Sequence, residues 1–356
     1  MTNTRDVLLF GLLAIVWGSG FTAIEIGLDS LPPLLFAAFR FDAAALVFFA
    51  LVVASRARWW PRNRDDVWLV LTTGILLIGV HFALLFLGQE YVSSSVAAIV
   101  LSFAPIVTPA IALAVLPAHR VRATDVLGLS IGFVGVVAIA AAGGSLGGRL
   151  AGVALLLGAA IVFALGSVLT QRFSRTLPLV SLQAWSMLVG AGILHAASLA
   201  HPMETLSTVD WNGSALAAIA YLGVVSTVGG FLLYFSLLER VGPTNASLVS
   251  YATPVVAAVF GAALLGEAIT AAMVVGFGLI AVGFALCQIR PLWRLVRGRS
   301  ARRRRPATGT VRVRGNEYVL EDVPAERSRV GTGQGYGPSS GPGTDRSGSS
   351  HPVADD

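Results

Sequence analysis

The sequence predicts an all-α polytopic membrane protein, with ten transmembrane helices arranged as two inverted five-helix repeats. Three observations lead to this fold class: a strongly apolar composition, ten apolar segments of spanning length, and a repeat that relates the two halves of the chain. The distribution of Arg residues among the loops then predicts that both termini lie in the cytoplasm.

The composition excludes an ordinary soluble protein. Of the 356 residues, 55% are hydrophobic and only 12% are charged, about half the charged fraction of soluble domains. The single cysteine, Cys287, excludes an internal disulfide and a multi-cysteine metal site. The net charge of +6 comes from Arg in loops and in a tail, so we expect no nucleic-acid partner. The apolar run after Arg5 is too long for a signal peptide and is interpreted as a retained first span.

Ten segments have the roughly 20 mostly apolar residues that a membrane helix needs. They are residues 6–28, 34–55, 67–88, 94–117, 124–142, 150–171, 178–200, 214–237, 244–265 and 270–290.

The Arg residues of the connecting loops fall almost entirely on one side. With the N-terminus inside, the cytoplasmic loops hold Arg56, Arg58, Arg62, Arg64, Arg120, Arg122, Arg172, Arg175 and Arg240. The opposite loops hold only Arg149. This asymmetry predicts a multi-pass protein of the inner (cytoplasmic) membrane with both termini in the cytoplasm.

The tail, residues 297–356, is basic at first and then rich in Gly, Ser, Pro and acidic residues. Its run Arg302, Arg303, Arg304 and Arg305 is expected to contact anionic lipid headgroups. The remainder has too few large apolar side chains to fold and is predicted to be disordered. The alternative is a stop-transfer charge cluster followed by a disordered appendage.

An internal repeat relates residues 6–142 to residues 150–290 at an offset of 148 or 149. The motif at residues 17–21 aligns with residues 165–169, and Pro105 aligns with Pro254. The remaining aligned pairs are Glu90 with Glu239, Gly128 with Gly276, and Gly135 with Gly283. Because each half holds five spans, the halves have opposite orientations, an architecture typical of secondary transporters.

Pro105 and Pro254 predict matched helix kinks near the middle of the fourth and ninth spans. A proline frees the carbonyl four residues before it, and in lipid that carbonyl needs a partner from protein, water or ligand. The residues near these kinks that could line a substrate path are Ser102, Phe103, Asn245, Ser250 and Tyr251. The alternative is a packing kink without ligand contact.

Several of these residues resemble a known family. Trp17-Gly18-Ser19-Gly20-Phe21, Phe39-Arg40-Phe41 and Leu265-Gly266-Glu267 are similar to motifs of EamA-type transporters in the drug/metabolite transporter superfamily, over about residues 6–290. The family places an acidic residue after the fourth span of each repeat; Glu267 fits, but Ala118 and His119 occupy the matching position in the first half. The resemblance implies export or exchange of amino acids, other metabolites or drugs, coupled to a proton or another cation.

Arg40, Glu25 and Asp42 are charged residues within predicted spans, where ionisable groups are costly and mark functional sites. The matching positions of the second half, at the 148-residue offset, are Phe173, Leu188 and Gly190. We expect Arg40 to bind an anionic group of the substrate, with Glu25 or Asp42 as its counter-charge. The alternative is an ion pair that fixes the first two spans.

His81 and His195 also lie within predicted spans. They could titrate during proton coupling or simply be hydrogen-bonded between helices. Trp17, with Ser19 beside it, and Tyr251 could line a cavity or serve only in packing.

The chain lacks a Walker A motif, an H-E-x-x-H zinc motif and a G-x-S-x-G elbow. We therefore expect no metal, no cofactor and no enzymatic activity. The predicted function is transport of a small polar metabolite or drug by alternating access, with an amino acid or other small zwitterion favoured over a multivalent anion. Two alternatives remain: a membrane-embedded enzyme acting on lipid, with Glu25, Arg40 and His81 as its polar cluster, or a non-transporting membrane scaffold. The pattern does not determine the oligomeric state.

Overall fold

The computed structural model describes residues 4–115, 123–141, 146–202, 204–205, 207, 209–287, 310–313 and 316–319. Ala118, His119 and the Arg302 to Arg305 run lie outside these residues. The chain divides into two units, Met1–Gly298 and Arg299–Asp356.

The first unit is helical. Its α-helices are α1 Thr4–Leu28, α2 Pro33–Ala54, α3 Arg64–Thr72, α4 His81–Gln89, α5 Ser94–Leu101, α6 Ala104–Val115, α7 Ala123–Ala141, α8 Leu146–Leu169, α9 Leu179–Ala200, α10 Gly213–Ala220, α11 Gly230–Val241, α12 Pro243–Ala246, α13 Val249–Leu265 and α14 Ala271–Cys287. A π-helical segment, Thr73–Val80, joins α3 to α4, and a second, Tyr221–Gly229, joins α10 to α11.

Eight stretches of the described chain are long and apolar enough to cross a membrane. They are Thr4–Leu28, Pro33–Ala54, Arg64–Gln89, Ser94–Val115, Ala123–Ala141, Gly147–Arg172, Leu179–Ala200 and Gly213–Val241. The predicted ninth and tenth spans correspond to shorter apolar helices, α13 and α14, of 17 residues each. A helix of 17 residues is at the lower end of the roughly 17–25 residues of a membrane helix. The count of ten spans therefore stays a prediction.

The two π-helical segments start 148 residues apart, at Thr73 and Tyr221, so they occupy matched places in the two halves. Each brings a glycine against a helix of the other half. A Cβ on Gly74 would lie 3.0 Å from the carbonyl oxygen of Ser186 on α9, and one on Gly223 would lie 2.9 Å from the carbonyl oxygen of Arg40 on α2. The wider π-turns therefore accompany close crossings between the halves.

Helices α7 and α14 also cross without side chains between their backbones. A Cβ on Gly135 would lie 2.6 Å from the carbonyl oxygen of Gly276, and Gly128 contacts the backbone of Gly283 in the same way. The later glycine of α7 contacts the earlier glycine of α14, and the earlier contacts the later, so the two helices are antiparallel. The repeat aligns Gly128 with Gly276 and Gly135 with Gly283. The contacts join Gly128 to Gly283 and Gly135 to Gly276, so exchanging the two halves reproduces the same pair of contacts, as around a two-fold axis.

Carboxylates from one half cap helix starts of the other. Glu204, which follows α9, accepts hydrogen bonds of 2.9 and 3.1 Å from two backbone N–H groups at the start of α2. Asp66 accepts hydrogen bonds of 2.9 Å from the N–H groups of Thr176 and Leu177, just before α9. Glu267, which follows α13, accepts hydrogen bonds from the first N–H groups of α5. The bonds to Glu204 and Glu267 satisfy donors that a helix start leaves without intrahelical partners, whereas Asp66 holds the chain that leads into α9.

The fourth predicted span is interrupted at Ser102 and Phe103, between α5 and α6, and Pro105 is the second residue of α6. In the ninth predicted span, α13 runs continuously through Pro254. The interruption there falls between α12 and α13 instead.

The described part of the second unit is a hairpin of two antiparallel strands, β1 Thr310–Val313 and β2 Asn316–Val319, in which Thr310 pairs with Val319 and Val313 with Asn316. The disordered tail stays a prediction for the rest of residues 297–356. An isolated two-stranded hairpin is marginally stable in water.

Candidate functional site

Arg40 is the buried charge around which the candidate site is built. It lies seven residues after the first residue of α2, or about 10 Å along the helix. Only 6% of the residue is exposed. An isolated charge in such surroundings is costly, because the protein interior solvates it far less well than water.

The second π-helical segment supplies the hydrogen-bond partner of Arg40. The Nε of Arg40 donates to Thr227 Oγ1 at 3.1 Å, and the Thr227 hydroxyl donates to the carbonyl oxygen of Leu222 at 2.7 Å. The hydroxyl of Thr227 is thereby oriented with its oxygen toward the guanidinium. Among the described residues, no hydrogen bond is seen from the two terminal nitrogens of Arg40, which carry four of its five N–H donors.

Three phenylalanine rings surround the guanidinium. Its central carbon lies 4.7 Å from the ring centre of Phe82, 5.1 Å from Phe41 and 6.0 Å from Phe86. A cation within about 6 Å of an aromatic face is attracted by the ring quadrupole. The rings therefore stabilise the cation partly, but they accept no N–H bond of the kind a carboxylate would accept.

The counter-charges expected for Arg40 are placed elsewhere. Asp42 lies 2.7 Å from Nε2 of His195, and the Oε2 of Glu25 accepts a hydrogen bond of 3.1 Å from Gln89. Within the described part of the chain, Arg40 forms no ion pair. Asp42 is two residues beyond Arg40 and faces another side of α2, toward α9. The alternative of an ion pair between Arg40 and these carboxylates is therefore not seen.

The structural match of Arg40 in the second half is Ser186 rather than Leu188. Gly223 contacts the carbonyl of Arg40, and its counterpart Gly74 contacts the carbonyl of Ser186. The loops shift the offset between α2 and α9 to 146 residues, from Pro33 to Leu179. Ser186 and Leu188 are both uncharged, so neither alignment gives Arg40 a charged counterpart in the second half.

Ser19 and Trp17 connect α1 to the eighth span. The Ser19 and Tyr221 hydroxyls lie 2.6 Å apart. The Trp17 ring packs at 5.5 Å from the ring centre of Tyr234 and 6.3 Å from that of Phe231. Both residues make contacts between helices.

His81, Ser102 and Phe103 are buried. His81 Nδ1 lies 2.9 Å from the carbonyl oxygen of Ala159, which ties the third span to α8. Ser102 donates to the carbonyl oxygen of Ile99 at 2.6 Å. Nδ1 of His81 and the Ser102 hydroxyl are thus engaged with backbone carbonyls. Among the described residues, Glu25, Arg40 and His81, the cluster expected for a lipid enzyme, show no hydrogen bonds to one another.

Asn245 donates to the carbonyl oxygen of Val241 at 2.8 Å. Tyr251 packs against Phe284 with ring centres 4.2 Å apart, and its buried hydroxyl has no hydrogen-bond partner among the described residues. Both lie on the ninth predicted span, and neither is among the residues that contact the Arg40 guanidinium, which are Thr227, Phe41, Phe82 and Phe86.

Sequence reasoning missed two features. Thr227, the partner of Arg40, is one hydroxyl in an apolar span, and only the repeated π-helical segment marks it. A cleft of about 140 Å³ between α2, α9 and α11 is lined by Phe48, Gln183, Phe235 and Glu239 among others. It depends on packing between distant segments and has no local sequence signal.

Comparisons with known proteins agree on a transport family. The EamA-like transporter family matches the chain twice, at residues 5–141 and 150–288. A protein of Archaeoglobus fulgidus named an uncharacterized transporter is 29% identical over 280 residues, which are 78% of this chain and 96% of the relative. The inner membrane transporter YedA of Escherichia coli K12, also named uncharacterized, is 29% identical over 78% of this chain and 90% of its own length.

A third relative, from Salmonella typhimurium, is named a probable amino-acid metabolite efflux pump. It is 28% identical over 79% of this chain and 94% of its own length. One solved crystal structure, 21% identical, shares the fold with a TM-score of 0.57 over 81% of this chain and 99% of its own. Two matched repeats that together span most of the chain, on an all-helical membrane fold, show that this chain belongs to the EamA-like transporter family.

Proposed function

We propose that the chain is a ten-span secondary transporter of the inner membrane, with both termini in the cytoplasm, that exports or exchanges an amino acid or a similar small zwitterion. Two oppositely oriented five-helix repeats alternate access to a site at Arg40. Membership in a transporter family supports the general function. The substrate, direction and residues are the further steps of the proposal.

The symmetry of contacts supports opposite orientations for the two repeats. The antiparallel crossing of α7 and α14 exchanges matched glycines, and the two π-helical segments each contact the other half in the same manner. Repeats related by an axis in the membrane plane form the framework of many transporters that rock around a central site.

The observation that carries the substrate assignment is the uncompensated charge of Arg40. The guanidinium is buried, has one hydrogen bond to Thr227, and has no carboxylate partner in the described part of the protein. Burying an unpaired charge costs several kcal/mol, roughly. An anionic group of the substrate would supply the missing partner, since two parallel N–H···O bonds to a carboxylate suit the guanidinium geometry.

A small zwitterion fits this site better than a multivalent anion does. The site offers one cation, Arg40, flanked by the aromatic rings of Phe41, Phe82 and Phe86. One guanidinium matches one carboxylate, while the rings offer apolar contact area. The name of the Salmonella relative, a probable amino-acid metabolite efflux pump, supports amino acids as the first class to test and export as the direction.

Ligand binding to the detergent-purified protein tests the site. Amino acids, sugars, nucleosides and cationic drugs are screened by thermal shift on the wild type, on Arg40→Met and on Arg149→Gln. Arg149 is the control because it is an Arg outside the candidate site, near the start of α8, where its Nε donates to the carbonyl oxygen of Ile139. A ligand at about 100 times its dissociation constant should stabilise the wild type by about 2.7 kcal/mol.

We expect amino acids to stabilise the wild type and Arg149→Gln but not Arg40→Met. A ligand that stabilises all three proteins equally would place the substrate site away from Arg40. Transport itself is tested by counterflow of the identified amino acid in proteoliposomes. A wild-type protein that binds the amino acid but shows no counterflow would contradict the transporter proposal.

A further inference from the structure

A second polar site lies where α1, α4 and α5 meet. Glu25 of α1 accepts a hydrogen bond from Nε2 of Gln89, the last residue of α4, and the same Nε2 donates to the carbonyl oxygen of Phe21 at 2.7 Å. Helix α1 packs against α5, and α5 packs against α13. Glu267, after α13, accepts hydrogen bonds from the first N–H groups of α5, the helix that packs against α1.

The two main carboxylates of this site differ in how well they are compensated. Glu267 accepts hydrogen bonds from the N–H groups of Ser94 and Ser95 at 2.8 and 3.2 Å, and also from the Ser95 hydroxyl. It sits at the N-terminus of α5, where the helix dipole is worth about half a positive charge. Glu25 has a single neutral donor, Gln89, and forms no ion pair with the described residues. When ionised, Glu25 is therefore left without a compensating cation in the described part of the chain.

Three buried oxygens at this site have no hydrogen-bond partner among the described residues: Thr22 Oγ1, Gln89 Oε1 and Ser94 Oγ. Their residues are 2%, 1% and 0% exposed. The Gln89 amide cannot be turned over to satisfy its oxygen, because Nε2 already faces two acceptors, Phe21 O and Glu25. Each buried unsatisfied group costs about 1–3 kcal/mol, and orphaned polar groups in a fold point to an ion or an ordered water.

The free oxygens lie beside the carboxylates. Thr22 precedes Glu25 by three residues, so both side chains are on one face of α1. Gln89 Oε1 belongs to the amide that contacts Glu25. Ser94 Oγ and the Glu267 carboxylate both lie against Gly261, at 2.9 and 2.5 Å from the position of an added Cβ. Oxygen atoms of carboxylate, amide and hydroxyl groups together are the ligand type of hard cations.

We propose that this cluster binds a small monovalent cation such as sodium, held by the Glu25 carboxylate, Gln89 Oε1 and Thr22 Oγ1, with Ser94 Oγ and Glu267 adjoining. One uncompensated negative charge matches one positive charge, so a divalent ion would be overcharged. Among the described residues no group of three or more His, Cys, Asp or Glu could hold a metal ion, which argues against a transition metal. A cation here would join α1, α4 and α5 and, if the proposed transport function holds, would supply the coupling ion.

The test measures cation binding without substrate. The melting temperature of the detergent-purified protein is followed as sodium chloride replaces N-methylglucamine chloride at fixed pH and ionic strength. We expect a saturable rise that fits one site, is lost in Glu25→Gln and is weakened in Thr22→Val, which keeps the charge. Glu90→Gln serves as the control, because it removes a carboxylate next to Gln89 in the chain and should keep the full sodium response.

A melting temperature independent of sodium at fixed pH would overturn the proposal, since a proton on Glu25 would then suffice. A sodium response that persists undiminished in both Glu25→Gln and Thr22→Val would also overturn it. Arg40→Met separates this proposal from the substrate site. That variant should keep the sodium response while losing amino-acid binding, so either inference can fail alone.

Discussion

Replacing Arg40 by Met removes a buried guanidinium but keeps an unbranched side chain among the rings of Phe41, Phe82 and Phe86. The variant loses the charge-assisted hydrogen bond to Thr227, worth about 1.5–3 kcal/mol, and a desolvated cation–π contact worth about 2 kcal/mol. It also relieves a desolvation penalty of several kcal/mol, roughly, that no carboxylate offsets. The terms nearly cancel, so we expect stability within about 2 kcal/mol of the wild type.

Equilibrium unfolding of the substrate-free protein in mixed micelles of SDS and a mild detergent, followed by tryptophan fluorescence, measures this difference. Thr227→Val is the companion variant. It leaves the charge in place without its one hydrogen bond, so we expect it to be less stable than Arg40→Met. The opposite order would refute the assignment of Arg40 as an uncompensated cation. In that case Arg40→Met would cost about 3–5 kcal/mol, as a broken buried ion pair does, and Thr227→Val would be neutral.

Three further predictions concern stability. Gly283→Ala places a methyl group against the backbone of α7 and should lower the unfolding free energy by about 1–3 kcal/mol. Gly278→Ala is the control and should cost little, because nothing lies within 4 Å of the added atom. Equal effects of the two substitutions would contradict the close crossing of α7 and α14. Asp66→Ala removes the carboxylate that accepts from the N–H groups of Thr176 and Leu177, and it should lower the unfolding free energy by at least about 1.5–3 kcal/mol. An unchanged unfolding midpoint would show that the loop before α9 needs no such acceptor. Partial burial, with the charge of Glu204 added, raises the pKa of Glu90 above its ordinary value, so the folded protein loses stability as the pH rises through the interval between the unfolded and folded values. Glu90→Gln should therefore raise the melting temperature at pH 7 and leave it unchanged at pH 4, as thermal scans at both pH values would reveal.

Helix positions could be predicted well because the bilayer imposes a length on each apolar run. The predicted span 34–55 corresponds to α2 Pro33–Ala54, and the predicted span 178–200 corresponds to α9 Leu179–Ala200. The repeat also gave useful positions, since the second π-helical segment begins 148 residues after the first. The π-turns themselves were not predictable, because they depend on how Gly74 and Gly223 approach helices of the opposite half.

The candidate site was predictable only as far as its charged member. Arg40 could be singled out because a cation in an apolar span is rare. Its environment could not, since Thr227 is 187 residues away and Asp42 pairs with His195, 153 residues away. Depth along the first two spans suggested Glu25 or Asp42 as the counter-charge of Arg40, but helix packing decides which face of each span meets which neighbour. Pro254 lies within the continuous helix α13, so the kink expected there stays a prediction.

The exchange of caps between the halves has a consequence for biogenesis. The starts of α2 and α5 are closed by Glu204 and Glu267, which the ribosome adds long after those helices have been made. Until then their first backbone N–H groups have no partner from these carboxylates. The first five-helix segment is therefore an unfinished intermediate that must wait for the second, and the two segments synthesised as separate chains should accumulate stably only when both are produced in the same cell.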